Sequence, residues 1–419
     1  MNIGYSCLAV GVAKTQIKGC VIGNATENRI AELIGQNLLA LERMLDYNNQ
    51  MGIRLFRMSS DIIPFGGNPA NTLAWQKHFA PQLATLGEKA RSLGIRLSMH
   101  PGQYTVLNSP RNEVVAAAIS DLTYHADFMD AMGLGPEHKI ILHVGGGYGD
   151  NRNAMERFAR HAEGLSTQIM NRLVLENDER IFNIEEVLEL SESVKLPVVF
   201  DLLHHHTNPK APGDTLERWI EAAGKTWGPL DGPQKIHYSQ QEPGKKPGAH
   251  SMTISLDAFL DFVDRVRQYN PDIMLEVKDK NLSAVKCINA LAEDRKIGRL
   301  EQEWGRYKYN VLEHDPNGYN QIRQMLKNKT AYPVREFYDV LEESLRKPVV
   351  AGNARNAAEH VWGYFKNDVD NAEKAKFERL LANIGATSNA TSSTKKFLQK
   401  LQEKFGDGYL KQSLYFDLP

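Results

Sequence analysis

The chain has 419 residues and a mass of 47.1 kDa, with 42% apolar and 24% charged residues, ordinary globular proportions that exclude a disordered or fibrous protein. Its formal net charge of −1 supplies no global basic field, so a polyanionic partner would have to be held by a local patch or by bound cations. Three widely spaced cysteines (Cys7, Cys20 and Cys287) exclude a disulfide scaffold or zinc ribbon, and no apolar run is long enough to span a bilayer or to follow a charged leader.

In chain order, short apolar runs alternate with longer stretches of helical period. The first strand is expected at 2–7 and is followed by a helix over 29–47, where Ile30, Leu33, Ile34, Leu38, Leu41 and Leu45 recur at helical spacing. Strands two and three are expected at 53–59 and 95–100, with a helix within 73–93 between them. Ser109 and Pro110 then read as a cap and first turn of a helix running to Met132. Strand four is expected at 139–144, before a helix over 153–165. Strand five follows at 173–176 with a helix near 184–190, and strand six at 197–202 with a helix near 215–223. Strand seven at 234–238 precedes a helix over 255–269, and strand eight at 273–277 is closed by 282–292.

Eight strand–helix units in roughly 295 residues have the count and length of an α/β fold of the (β/α)8, or TIM barrel, type. A doubly wound open sheet is the competing arrangement; the count of eight and the absence of GxGxxG from the first turn favour the barrel. Beyond residue 300 the apolar strands stop. Helices are expected over 304–314, 319–327, 334–345, 353–365, 372–381 and 395–405, with ATSNATSST (386–394) as a loop. The expected domains are therefore a barrel over 1–300 and a helical appendage over 301–419. Trp304, Tyr307, Trp362 and Tyr364 in the appendage read as core rather than as a base-stacking surface.

Barrel active sites form at the carboxyl ends of the strands. The ends of strands three to eight carry His100, His143, Glu176, Asp201, His237 and Glu276, with His204 three residues past Asp201 and His250 in the loop after strand seven. One such histidine would ordinarily be a hydrogen-bonded core residue. Six consecutive strand ends holding only His, Asp or Glu demand cations, because unpaired buried carboxylates cost several kcal/mol in effect. The mixture of imidazole and carboxylate suits Zn, Mn or Fe rather than Ca. Glu176, Asp201, His237 and Glu276 would suffice for one metal, as in a sugar isomerase or epimerase, which is the alternative reading. The further pairs His100 with His143 and His204 with His250 exceed that need and suit a trinuclear cluster bridged by Glu176. Clustered divalent ions favour phosphodiester hydrolysis.

The segments GYSC (4–7), RMSSDIIPF (57–65), SMHPGQYTVLNSP (98–110), LHVGG (142–146), LEND (175–178), VVFDLLHH (198–205), KIHYS (235–239), the His250 loop and MLEVKDK (274–280) occur in order. Together they resemble the UV damage endonuclease family over about residues 1–295. The resemblance implies a TIM barrel that nicks double-stranded DNA immediately 5′ to pyrimidine dimers and 6-4 photoproducts, and at some abasic sites, leaving a 3′-hydroxyl and a 5′-phosphate. It implies a cluster of divalent metals, three ions with Mn2+ favoured over Zn2+, Co2+ or Mg2+. Its ligands would be His100, His143, Glu176, Asp201, His204, His237, His250 and Glu276, with Glu176 and Lys235 serving catalysis and Lys235 carboxylated. It also implies that Gln103 and Tyr104 wedge into the duplex and that Tyr5 contacts the lesion pocket. Ala9 and Asn68 stand where some relatives carry Asn and His, departures that bear on the pocket and leave the ligand set untouched.

Arg57, Lys245, Lys246 and Lys278 read as rim cations for phosphates. The tail segments WGRYKYNVLEHDPNGYN (304–320) and HVWGYFK (360–366) resemble a bacterial helical domain of unknown function. A cytoplasmic protein with no membrane contact and no obligate protein partner is expected.

Overall fold

A computed structural model describes residues 1–209, 215–387 and 389–418. The chain divides into two compact units, one comprising Met1–Ala9 and Ala13–Ile288, the other Val10–Val12 and the residues from Asn289 onward.

The first unit is a closed barrel of eight parallel strands in sequence order. They are β1 (Ile3–Ser6), β2 (Leu55–Met58), β3 (Arg96–Met99), β4 (Lys139–His143), β5 (Leu173–Glu176), β6 (Val198–Asp201), β7 (Lys235–Tyr238) and β8 (Asp272–Leu275). Around them lie α1 (Glu27–Gln50), α2 (Ala80–Ser92), α3 (Asn112–Ala131), α4 (Asn151–Ala162), α5 (Ile184–Val194), α6 (Leu216–Gly224), α7 (Leu256–Val266) and α8 (Asn281–Leu291). The strands are buried on both faces because the helix layer covers one and the side chains filling the barrel interior cover the other.

The interior is layered. At the N-terminal end, Arg96 reaches Asp272 at 3.1 Å and Lys139 pairs with Asp231, closing the bottom with buried ion pairs. Ile141, Val174 and Val199 form an apolar layer above. The carboxyl ends of β3 to β8 then carry the polar residues singled out from the sequence.

Local chemistry sets the helix bounds. Thr26 caps α1 by accepting from the Arg29 amide, and Asn183 forms a capping box with Glu186 at α5. Two expectations fail here. The helix expected from Ser109 begins at Asn112, because the Ser109 hydroxyl accepts from the Arg111 amide in a turn instead of capping. A six-residue helix, Leu202–Thr207, follows β6 where a loop was expected, capped by Asp201 through the His204 amide.

The second unit consists of α9 (Ile297–His314), α10 (Pro316–Met325), α11 (Val334–Arg346), α12 (Ala351–Trp362), α13 (Asn371–Asn383) and α14 (Ala390–Phe405). Its core joins Tyr309 and Leu312 to Ala354, Ala358, Phe377 and Leu398. Trp362 stacks on Phe377 at 4.2 Å. The loop expected over 386–394 becomes helical from Ala390, because Thr394 buries its hydroxyl on the Ala390 carbonyl at 2.9 Å. Tyr307 is buried as expected; Tyr364, expected in the core, is 36% exposed.

Candidate metal centre

Glu176, the last residue of β5, is 1% exposed and lies at the centre of the mouth. Its Oε2 is 3.0 Å from His100 Nε2 and 3.4 Å from His143 Nε2. Its Oε1 is 2.6 Å from His237 Nδ1 and 3.9 Å from His204 Nδ1. Three groups of potential ligands share this carboxylate: His100 with His143, Asp201 with His204, and His237 with Glu276, the ligand atoms of each group lying within 4.8 Å of one another. His250, in the loop after β7, places Nε2 3.7 Å from Glu276 Oε2. The eight residues expected as ligands therefore converge on one rim.

The hydrogen bonds around them test whether cations fit. His100 Nδ1 lies 3.0 Å from the Pro101 carbonyl, and His204 Nδ1 2.9 Å from that of Asn177. A carbonyl can only accept, so both Nδ1 atoms donate, and Nε2 is the nitrogen left to face a cation or carry a proton. For His100 that nitrogen faces the Glu176 carboxylate, an arrangement that requires a proton or a cation between the two. Asp201 Oδ2, His143 Nδ1 and His237 Nε2 are buried without hydrogen-bond partners. Five imidazoles and three carboxylates form a donor set for borderline divalent cations. The residues present fit the group.

The electrostatics agree. Burial alone would push the Glu176 carboxyl up; His237, His143 and His100 overcome it and hold it well below the usual carboxylate range. Asp201 is raised by burial, against the pull of His204 and with the repulsion of Glu176 and Glu276 added. Burial opposes charge on His204, but Asp201, Glu176 and Glu276 outweigh it and lift its pKa to about 9. His204 and Asp201 therefore hold a proton more readily than free side chains do, whereas burial lowers His100 against the pull of Glu176.

Other expected residues fall in different settings. Lys235, two residues before His237 on the interior face of β7, is fully buried, and its Nζ has no partner among the described residues. Burial, reinforced by Arg96, holds its pKa well below the lysine range. Gln103 is exposed and Tyr104 is 83% exposed, on the loop just past His100.

Tyr5 is a correction. It is fully buried, its hydroxyl donates to Asn48 of α1 at 2.9 Å, and its ring packs on Phe56 at 5.0 Å. It faces the helix layer, where no DNA ligand reaches it. Ser6, its neighbour, takes the opposite face because strand side chains alternate. Arg57 is a second correction: it is 11% exposed and pairs with Glu276, so it serves the cluster rather than an external phosphate. Lys245, Lys246 and Lys278 remain exposed.

Sequence reasoning missed the residues that hold the ligands. Asn177 donates to the Asp201 carbonyl at 3.1 Å and accepts from the Asp201 amide at 2.9 Å, clamping β6 to β5. Ser60 donates to the His100 carbonyl at 2.8 Å, and its oxygen lies 2.9 Å from His125 Nε2 on α3. Thr105 donates to Asp121 of the same helix at 2.5 Å. Gly145 has φ +111°, and a Cβ there would meet Asn108 Oδ1 at 2.5 Å, so only glycine lets the β4 loop lie against the β3 loop. These pairs are distant in sequence and carry no local signal.

The fold and site define, as a class, a TIM barrel whose mouth gathers residues that could hold metal ions. The UV-endonuclease UvdE family model matches residues 2–308, and that of a protein of unknown function, DUF1722, matches 308–419. A UV DNA damage endonuclease of Clostridium perfringens (strain 13 / Type A) is 36% identical over 411 residues, covering 96% of each chain. One from Bacillus cereus (strain Q1) is 33% identical over 276 residues, covering 65% of this chain and 86% of its own. The crystal structure of SacUVDE superposes with a TM-score of 0.66 at 38% identity, over 70% of this chain and 98% of that one. The chain belongs to the UV DNA damage endonuclease family.

Proposed function

We propose that the protein is a metal-dependent DNA repair endonuclease that hydrolyses the phosphodiester immediately 5′ to UV photoproducts, pyrimidine dimers and 6-4 products, and at abasic sites. The products are a 3′-hydroxyl and a 5′-phosphate. The observation that carries this reading is the sharing of Glu176 by three ligand groups. A sugar isomerase needs one such group, and the surplus favours phosphoryl chemistry.

Divalent cations, Mn2+ favoured, would supply Lewis acidity at the phosphoryl oxygens and lower the pKa of water for attack. His100, His143, Glu176, Asp201, His204, His237, His250 and Glu276 would hold them, Glu176 being common to the three groups. Arg57 fixes Glu276, and Asn177 fixes Asp201 and His204, so the ligands are in place before substrate arrives. A neutral buried amine is a nucleophile, and Lys235 would add carbon dioxide to give a carbamate and release a proton, placing an anion beneath the cluster. Gln103 and Tyr104 would enter the duplex at the lesion, where stacking is already weakened and extrusion costs less than at intact bases. Among the described residues no helix is long and apolar enough to cross a membrane. The proposed DNA substrate and the three free cysteines support a cytoplasmic setting.

The test is to incubate the protein with Mn2+ and a duplex carrying one cyclobutane dimer, beside an abasic duplex, and to map the cut. Cleavage at the first phosphodiester 5′ to the dimer is expected. An uncut dimer duplex would overturn the reading.

A further inference from the structure

The second unit carries a surface that barrel chemistry does not use. Tyr364, just after α12, and Tyr409, just after α14, are 36% and 42% exposed. Their rings are parallel to within 1°, with centroids 6.0 Å apart. Tyr309 of α9 donates its hydroxyl hydrogen to the Tyr364 hydroxyl at 2.9 Å, fixing one ring. Gly305 of the same helix makes room for the other: a Cβ there would lie 3.3 Å from the Tyr409 hydroxyl oxygen.

One cation borders these rings and a second lies beside it. Lys308 of α9 holds Nζ 4.2 Å from the Tyr409 centroid and 4.5 Å from that of Tyr309. Arg323 of α10 lies 5.6 Å over Tyr319, whose ring meets Trp304 at 5.2 Å. Lys308 is partly desolvated and repelled by Arg323, and no carboxylate offsets either effect. Among the described residues neither cation has a salt-bridge partner. Two neighbouring cations with no acid beside them can take an anion, and the exposed parts of the two rings lie next to Lys308.

A nucleotide suits both features at once: its base stacks on a tyrosine and its phosphate neutralises the cations. A carbohydrate would leave the charges unmatched, and an acidic peptide would leave the rings idle. In a duplex the base faces are hidden in the stack, so the strand must be unpaired. We infer that this face of the second unit binds single-stranded DNA, with bases on Tyr364 and Tyr409 and phosphates at Lys308 and Arg323. The site is independent of the barrel's reaction and adds a grip on unpaired strand.

The test uses the full-length protein in EDTA, with a fluorescein-labelled, undamaged oligothymidylate followed by anisotropy. Replacing both rings, Tyr364→Leu with Tyr409→Leu, should raise Kd about tenfold or more, within the range for lost base–aromatic stacking. The pair Tyr364→Phe with Tyr409→Phe keeps the faces and should stay within about twofold of the parent. Lys308→Gln with Arg323→Gln should flatten the salt dependence of log Kd by about 1.4, at ~0.7 per phosphate contact on single strands. Tyr104→Ala, in the barrel, is measured beside them as the comparison for a strand held there instead. A Leu pair that binds like the parent overturns the inference, as does a Phe pair as weak as the Leu pair. Affinity lost on Tyr104→Ala would place the strand in the barrel instead. Tighter binding of oligouridylate, lost in the same variants, would make the ligand RNA and overturn the assignment to DNA.

Discussion

Glu176 joins all three ligand groups, so its charge matters more than its bulk. Glu176→Gln keeps the shape and removes the shared anion; nicking should fall by roughly a thousandfold or more while the circular dichroism spectrum is retained, given the several kcal/mol that metal-borne charge stabilisation supplies. Near-normal nicking would reject that role. At the opposite end of the barrel, His138 accepts the Leu97 amide on Nδ1 at 2.9 Å, and its Nε2 lies 3.2 Å from Glu137. Burial, against the pull of Glu137, lowers its folded pKa to about 4, below the unfolded value of about 6.5. Between those values the unfolded chain binds more protons, so the stability due to neutral His138 is complete above pH ~6.5 and is lost as pH falls toward 4. His138→Asn, which keeps an acceptor but does not titrate, should show a weaker pH dependence of the urea midpoint across this window; parallel curves would contradict it. Six of the eight candidate ligands were legible in the sequence because each ends an apolar run; His204 and His250 sit in a helix and a loop beyond the strands and were found by position after them. The setting of Tyr5 was not: β1 is buried on both faces, so composition does not reveal which way each side chain points.

The loop after β3 shows what an element adds to its residues. Tyr104 stands in solvent, yet the chain on either side of it is tied to α3, through Ser60 and His125 at His100 and through Asp121 at Thr105. The proposed wedge, mounted this way, would hold its direction when pressed against a base pair. Tyr104→Ala should reduce the preference for damaged over intact duplex by roughly tenfold, on base–aromatic contacts of ~1–3 kcal/mol, without changing metal content. An unchanged preference rejects the wedge. Thr105→Val removes only the tie to Asp121, a hydrogen bond to a charged group worth ~1.5–3 kcal/mol. It should raise KM for the lesion duplex several-fold with kcat nearly constant; an equal fall in kcat would place Thr105 in the chemistry itself. These ties were illegible because they join residues of separate loops and helices. The expected start of α3 at Ser109 failed for a related reason: the cap-type hydroxyl served a turn.

At the scale of the molecule, the alternation of strand and helix revealed the barrel, because a parallel sheet covered on both faces leaves its apolar runs plain. The helical unit was legible as helices and not as a surface, since helical period shows which residues face inward but not which exposed aromatics meet. The SacUVDE crystal structure covers 70% of this chain and 98% of its own, so a barrel of this kind stands without the appendage. A chain truncated before Ile297, where α9 begins, should fold and nick a dimer duplex within about tenfold of the intact protein; insoluble or inactive product would give the appendage an essential part in the barrel. The central claim is that the mouth gathers several cations around Glu176. It is tested most directly by stripping the protein with chelator, reloading it with Mn2+, removing the excess and counting ions per chain by mass spectrometry. About three ions are expected in the parent and fewer in Glu176→Gln, one for each ligand group. A single ion, unchanged by that substitution, would contradict the account.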